Sequence, residues 1–169
     1  MYFGRIHHDK GTFEAIQIAK KFGMKLIISG IIQDQKYYEE KVKPYLNDDV
    51  VFIGHSGPKR RNTLFGRAYA LLHPINFAEP FGLSVAESML CGTPVVAFNK
   101  GAMPELIVQG KSGFIVDTDD EAVEALKGIK SINRQFCRCW AEDNFSQEKM
   151  VADYIAVYKK ILNRHITPI

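Results

Sequence analysis

Glu79 and Glu87 stand eight positions apart in the stretch NFAEPFGLSVAESMLCGTPVVAF, which runs from Asn76 to Phe98. Between them lie Pro80, Phe81 and Gly82, a turn suited to the place where a strand gives way to a helix. Carboxylates so placed can accept hydrogen bonds from hydroxyls, but they are costly to remove from water unless something pairs with them. Gly82 lets the main chain approach a ligand closely. The amides of Phe81, Gly82 and Leu83, at the start of a helix, suit an anion. Eight residues leave two side chains about 80° apart on a helix, so one helix face does not explain the pair. Ser84-Val85-Ala86-Glu87 also has the form of a capping box, which would make Glu87 a helix-end device. The neighbours Val85, Ala86, Met89 and Leu90 instead favour a partly buried acid inside a ligand site.

A second group of chemically able residues lies in GRIHHDKG, Gly4 to Gly11, between a strand and a helix. Its two cations suit a diphosphate: Arg5 can hold it with two parallel bonds and Lys10 can act as a point charge. Neither the dehydrogenase G-x-G-x-x-G nor the G-x-x-x-x-G-K-[ST] loop occurs. His7 and His8 have no further ligand-type residue at metal spacing, so they are expected to face solvent and no metal site is assigned. A third stretch, FNKGAMPELI from Phe98 to Ile107, places Gly101 and Ala102 before Pro104 and Glu105. It reads either as another anion-facing turn or as a helix start with an ordinary first-turn acid. Lys59-Arg60-Arg61, the densest basic cluster, reads as a solvated helix start.

These turns need a frame that brings them together. Short apolar runs alternate with helical patterns: MYF, KLIIS, VVFIG, ALLHP, PVVAF and GFIVD are separated by helices near Phe13–Phe22, Tyr37–Val42, Arg61–Tyr69, after Gly82, and near Pro104–Val108. Continuous apolar strands separated by helices indicate β-α-β units in a parallel sheet covered on both faces. The expected fold is therefore α/β, a doubly wound Rossmann-like parallel sheet forming one domain over residues 1–169. In such sheets ligands bind at the turns after the strand carboxyl ends, which is where all three stretches fall. After Asp117 only helices follow. Thr118-x-x-Glu121 caps one, and Ser146 caps another whose Met150, Tyr154, Val157, Tyr158, Ile161 and Leu162 form a stripe. That stripe is expected to pack against the sheet or a neighbouring domain. The first strand, with three residues before Gly4, is short for a central one, which suggests that an upstream domain precedes it.

Composition removes several classes of function. The 169 residues, 46% apolar and 24% charged, suit an ordinary folded domain. A net charge of +3 with scattered Lys and Arg gives no nucleic-acid stripe. Cys91, Cys137 and Cys139 have neither zinc nor redox spacing and read as reduced cysteines of a cytoplasmic protein. No apolar run is long enough for a membrane span. Lys159, Lys160 and Arg164 on the last helix read as a solvated face rather than a membrane contact.

Taken together, GRIHHDKG, EPFGLSVAESMLCGTPVVA and GAMPELIVQGKSGFIV resemble the C-terminal, donor-binding domain of retaining GT-B glycosyltransferases of glycosyltransferase family 4. The resemblance covers nearly the whole chain in order. It implies transfer of a sugar from a nucleoside diphosphate sugar (UDP-, GDP- or ADP-linked), without a metal or other cofactor, to an acceptor held by the upstream domain. It implies that Arg5 and Lys10, with Gly4 beside them, bind the diphosphate, and that Glu79 lies at the donor sugar. Phe81, Gly82 and Leu83 would cradle sugar and phosphate, and Glu87 would hold the ribose hydroxyls. Ala102 stands where many members have a second glycine, which would narrow the room beside the donor. Ile75 stands where a serine is frequent. A non-catalytic nucleotide-sugar-binding module, or a GT-B epimerase or phosphorylase, would share the same architecture.

Overall fold

The computed structural model describes residues 1–165, with side chains through Asn163. All six apolar runs are strands: β1 (Tyr2–Phe3), β2 (Leu26–Ser29), β3 (Val50–Phe52), β4 (Leu71–His73), β5 (Val95–Phe98) and β6 (Gly113–Val116). They form one parallel sheet in the order β3-β2-β1-β4-β5-β6. Short β1 sits at its centre, with Tyr2 in register with Ile28 on one side and Leu72 on the other. The chain builds outward from β1 to β3, then returns to the other side of β1 with β4. That reversal of strand order is where doubly wound sheets open a ligand crevice.

Helices cover both faces, as the continuous apolar strands required. On one face α1 (Thr12–Phe22) and α6 (Asp119–Gly128) bury Ile16, Ile18, Ala122 and Leu126. On the other, α3 (Pro58–Arg67), α4 (Leu83–Leu90), α5 (Met103–Leu106) and α7 (Arg134–Phe145) bury Phe65, Val85, Met89, Leu106 and Cys137. The short α2 (Gln35–Tyr37) continues into a wider π turn at Tyr38–Val42, so this helix starts earlier than its apolar residues suggest. Asp34 caps it by accepting from the Tyr37 N–H at 2.9 Å. Helix α3 likewise starts at Pro58, because proline loses no bond at a first helical position.

Beyond β6 the expected cap is present: Thr118 Oγ1 accepts from the Glu121 N–H at 3.2 Å. The return bond lands one residue early, from the Asp117 N–H to Glu121 Oε2 at 2.9 Å. Helix α7 was not anticipated, although Asn133 caps it by accepting from the Gln135 and Phe136 N–H groups. Ser146 caps α8 (Gln147–His165), accepting from the Lys149 N–H at 3.3 Å. The stripe on α8 does not pack against the sheet: Met150, Tyr154, Val157, Tyr158, Ile161 and Leu162 are all exposed. Helical periodicity identifies an apolar face but not the surface that covers it, and the described part of α8 packs on this body mainly through α7. The Arg164 side chain lies outside the described ones. No described helix is long and apolar enough to cross a membrane.

The turns after β1 and β2 meet backbone to backbone. A Cβ on Gly30 would lie 1.7 Å from the Gly4 carbonyl oxygen, closer than any atoms can approach. Gly30→Ala must therefore push the two turns apart and is expected to destabilise the chain by about 3 kcal/mol or more. Gly66, exposed on α3 with nothing within 4 Å of its Cβ direction, is the control. Gly66→Ala should stabilise by roughly 0.5–1 kcal/mol by reducing the freedom of the unfolded chain. Urea unfolding of the two variants beside the parent chain checks both signs.

Candidate functional site

A cleft of about 570 Å³ opens at the carboxyl ends of β1 and β4, where the strand order reverses. This volume falls in the range of small-molecule sites, roughly 300–1,000 Å³. Gly4, Arg5, Lys10, Glu79, Phe81, Gly82, Leu83 and Glu87, the eight site residues expected from the sequence, all line it. Tyr2, Arg61, His55 and His73 line it too.

The turn after β1 is held from below. The buried Tyr2 hydroxyl donates to the Arg5 carbonyl at 3.0 Å, leaving the Arg5 side chain exposed at the cleft. Lys10 ends a 3₁₀ turn (His8–Lys10), and its Nζ donates to Glu79 Oε2 at 2.5 Å. The same ammonium lies 4.3 Å from the Phe77 ring centroid. Asn76 fastens the two loops: its N–H donates to the Asp9 carbonyl at 2.7 Å, and its amide to His8 O and Glu14 Oε1. Lys10 and Glu79 are each about 15% exposed (15% and 14%), so the pair is largely shielded from water.

The third stretch does not face the cleft. The Ala102 N–H donates to the Glu79 carbonyl at 2.8 Å, and a Cβ on Gly101 would lie 2.2 Å from that oxygen. Gly101 and Ala102 thus support the Glu79 loop from behind. Ala102 is buried in the core, so it takes no room beside a ligand, contrary to the sequence reading. Glu105 is exposed in the first turn of α5, an ordinary first-turn acid.

Helix α4 begins at Leu83, with Gly82 as its N-cap in the left-handed region (φ 95°). In the first turn the Val85 N–H donates to the Gly82 carbonyl at 2.9 Å, while the Leu83 and Ser84 amides have no intrahelical partner, and Gly82, Leu83 and Ser84 line the cleft. Phe81, Leu83 and Ile31 form an apolar lip, 40%, 70% and 59% exposed.

Glu87 lies in the second turn of α4 and is not part of a capping box, because the cap is Gly82 rather than Ser84. Its Oε1 instead forms an ion pair with Arg61, 2.7 Å from Nη2. Burial pushes the Glu87 carboxyl above the usual carboxylate range, and Arg61 pulls against that rise. The reading of Lys59-Arg60-Arg61 as a wholly solvated helix start is corrected. Lys59 and Arg60 are exposed, but Arg61 sits four residues before the buried Phe65 and shares its helix face. Its guanidinium carbon is 5.7 Å from the Phe3 ring centroid, and its Nε is buried without an acceptor. A buried donor left unmet costs about 1–3 kcal/mol, which works against the gain from the ion pair with Glu87.

His73, at the end of β4, was also missed. It is 4% exposed and its Nε2 is buried without a partner. Burial, helped by the Lys10 charge, pushes its pKa down to about 3, which keeps the imidazole neutral. His7, His8 and Asp34 bring donor atoms within 4.8 Å of one another, which the sequence spacing did not reveal. Those atoms have other partners: His8 Nε2 lies 2.8 Å from Asp9 Oδ1, His7 Nδ1 accepts from the Asp9 N–H, and Asp34 caps α2. His8 is exposed and His7 half-buried. Asp117-Thr118-Asp119 has the D-x-D form of some cation sites, but it forms the start of α6, away from the cleft lining.

The cleft therefore presents three cations, two carboxylates and a helix amino end, an arrangement suited to an elongated anion that also carries hydroxyls. A sequence model of the family described as glycosyl transferases group 1 matches residues 1–142. The chain is 30% identical over 145 residues to the capsular polysaccharide biosynthesis glycosyltransferase CapM of Staphylococcus aureus, covering 81% of this chain and 37% of that protein. Among solved structures it resembles AviGT4, a glycosyltransferase involved in avilamycin A biosynthesis (TM-score 0.82, 26% identity, 96% of this chain and 50% of that one). It also shares the fold of Anabaena HepE, solved in complex with UDP and glucose (TM-score 0.79, 22% identity, 92% of this chain and 47% of that one). The chain spans half or less of the length of each.

The neutral His73 has a consequence for acid stability. Its folded-state pKa lies below the unfolded value, so below pH 6.5 the unfolded chain takes up a proton that the folded chain refuses. Stability from this group is complete above pH 6.5 and falls as the pH drops, by about 2 kcal/mol at pH 5. Comparing His73→Phe with the parent by urea unfolding at pH 7 and pH 5 isolates it: the difference between the two proteins should shift toward the variant by that amount. An unchanged difference would show that His73 is not held neutral.

Proposed function

Because the chain belongs to the group 1 glycosyltransferases, we propose that it is the donor-binding half of a retaining GT-B enzyme, one that moves a sugar from a nucleoside diphosphate sugar to an acceptor. The observation that carries this reading is the Lys10–Glu79 pair, which joins the turn after β1 to the loop after β4 inside the cleft. Glu79 engages the Lys10 ammonium. A diphosphate seated between Arg5, Lys10 and the first-turn amides of α4 shares that cation and frees Glu79 to meet the sugar hydroxyls. Glu87 accepts from the ribose at the far end.

The difficult step is departure of the nucleoside diphosphate, which gathers negative charge as the bond to the sugar lengthens. Fixed donors aimed at such charge are worth about 2.7–4 kcal/mol of barrier each. Arg5, Lys10 and the α4 amides take that role in a metal-independent transfer. Glu79 orients the sugar and balances its positive character. The acceptor, in this proposal, is held by an N-terminal domain. The half-length coverage of AviGT4 supports this, as does the uncovered apolar stripe of α8, which would pack on that domain. Residues 1–169 then act as one donor domain, with little transfer on their own. The proposal places the protein in the cytoplasm, and the three free cysteines support a reducing compartment.

Titration calorimetry of this chain with UDP, GDP and ADP tests the reading. One of the three is expected to bind, and Lys10→Ala should weaken it about tenfold or more. Equal affinity in the two proteins removes Lys10 from the site. Glu79→Gln carries the opposite sign: with its competitor for Lys10 neutralised, the chain should bind the sugar-free diphosphate at least as tightly as the parent.

A further inference from the structure

We infer that Arg61 is a positioning residue for donor binding: it holds one oxygen of Glu87 so that the other is presented to the vicinal hydroxyls of the donor ribose. This rests on the donor-site reading above and adds to it a residue from a separate element. Three parts of the fold fix the guanidinium. Helix α3 carries it on the face of buried Phe65, β1 places the Phe3 ring beside it, and α4 supplies Glu87. Phe3 and Phe65 also meet edge to face at 5.4 Å, so the arginine stands on a fixed aromatic base. Its Nη2 engages Glu87 Oε1 at 2.7 Å, and among the described residues nothing else bonds that carboxylate. Both side chains are about one-quarter exposed (25% and 29%), so the pair is open to the cleft on one side only.

Among the described residues no neighbouring charge can replace Arg61. On α7, Arg134 is spent on the Ala68 and Gly66 carbonyls and Thr93 Oγ1, and Arg138 on Glu142. Both act on Cys91, one turn further along α4. On β4, His73 is neutral. Lys10 is paired with Glu79, while Arg5 and His55 line the cleft without a bond to Glu87. Without Arg61, burial alone would act on Glu87 and raise its pKa further. A protonated Glu87 loses acceptor capacity, so ribose binding should weaken as pH falls, and should do so at higher pH when Arg61 is gone.

The experiment measures affinity of the chain for whichever nucleoside diphosphate it prefers, and for the 2′,3′-dideoxy form of the same nucleotide, across pH 5 to 8. Arg61→Gln should weaken the ribonucleotide about tenfold at pH 7. It should move the acid midpoint of binding upward and leave the dideoxy nucleotide unaffected. Arg61→Lys should restore the midpoint. Equal losses for both nucleotides, or an unmoved midpoint with only a lower unfolding temperature, overturn the inference and reduce Arg61 to a staple between α3 and α4. If Arg61→Gln does not fold, Arg61→Lys carries the test: a single point charge in place of the fork should weaken the ribonucleotide alone, and equal losses again overturn it. Failure of the parent chain to bind any nucleoside diphosphate overturns the donor-site reading itself, and this inference with it.

Discussion

The Lys10–Glu79 ion pair spans the reversal point of the sheet, and the geometry of the cleft depends on it. Taking two charges largely out of water costs about as much as their attraction returns, so such a pair adds little net stability. What it fixes is register. The turn after β1 and the loop after β4 come from opposite halves of the strand order, and they meet through this bond and the Asn76 amide. The Ala102 N–H holds the same loop from the rear.

Charge bookkeeping in the cleft agrees with this. Arg5, Lys10 and Arg61 against Glu79 and Glu87 leave a surplus of one positive charge among the lining groups, with His73 neutral. Each acid has its own cation, so both tolerate partial burial. An anionic ligand does not have to create charge balance; it has only to share cations already in position. Such preorganisation lets fixed donors meet an anion without reorganising as it binds.

Much of this was legible in the amino-acid sequence, because strands buried on both faces read as unbroken apolar runs. ALLHP, PVVAF and GFIVD could hardly be anything else. Helix α7 escaped because its buried residues, Cys137 and Ala141, are too few and small to mark a stripe. The cleft residues on the two glycine-bearing turns were readable from their chemistry. Their partners were not: Arg61 reaches Glu87 across 26 positions through helix packing, which no local spacing encodes. Arg61 nevertheless left a trace, four residues before a large aromatic that had to be buried. His73 left less, since a histidine ending an apolar run looks the same whether its ring turns inward or outward.

The apolar lip made by Ile31, Phe81 and Leu83 gives the cleft an electrical property that its charged floor does not have alone. While the mouth stays wet, the fields of Arg5 and Lys10 are attenuated by solvent of high permittivity, and an approaching anion feels little of them. When the lip is covered, the same charges act through a medium several times less polarisable, and each interaction strengthens accordingly. Whatever closes over those three side chains therefore works as an amplifier, setting how strongly the cleft grips without touching any group that does the gripping.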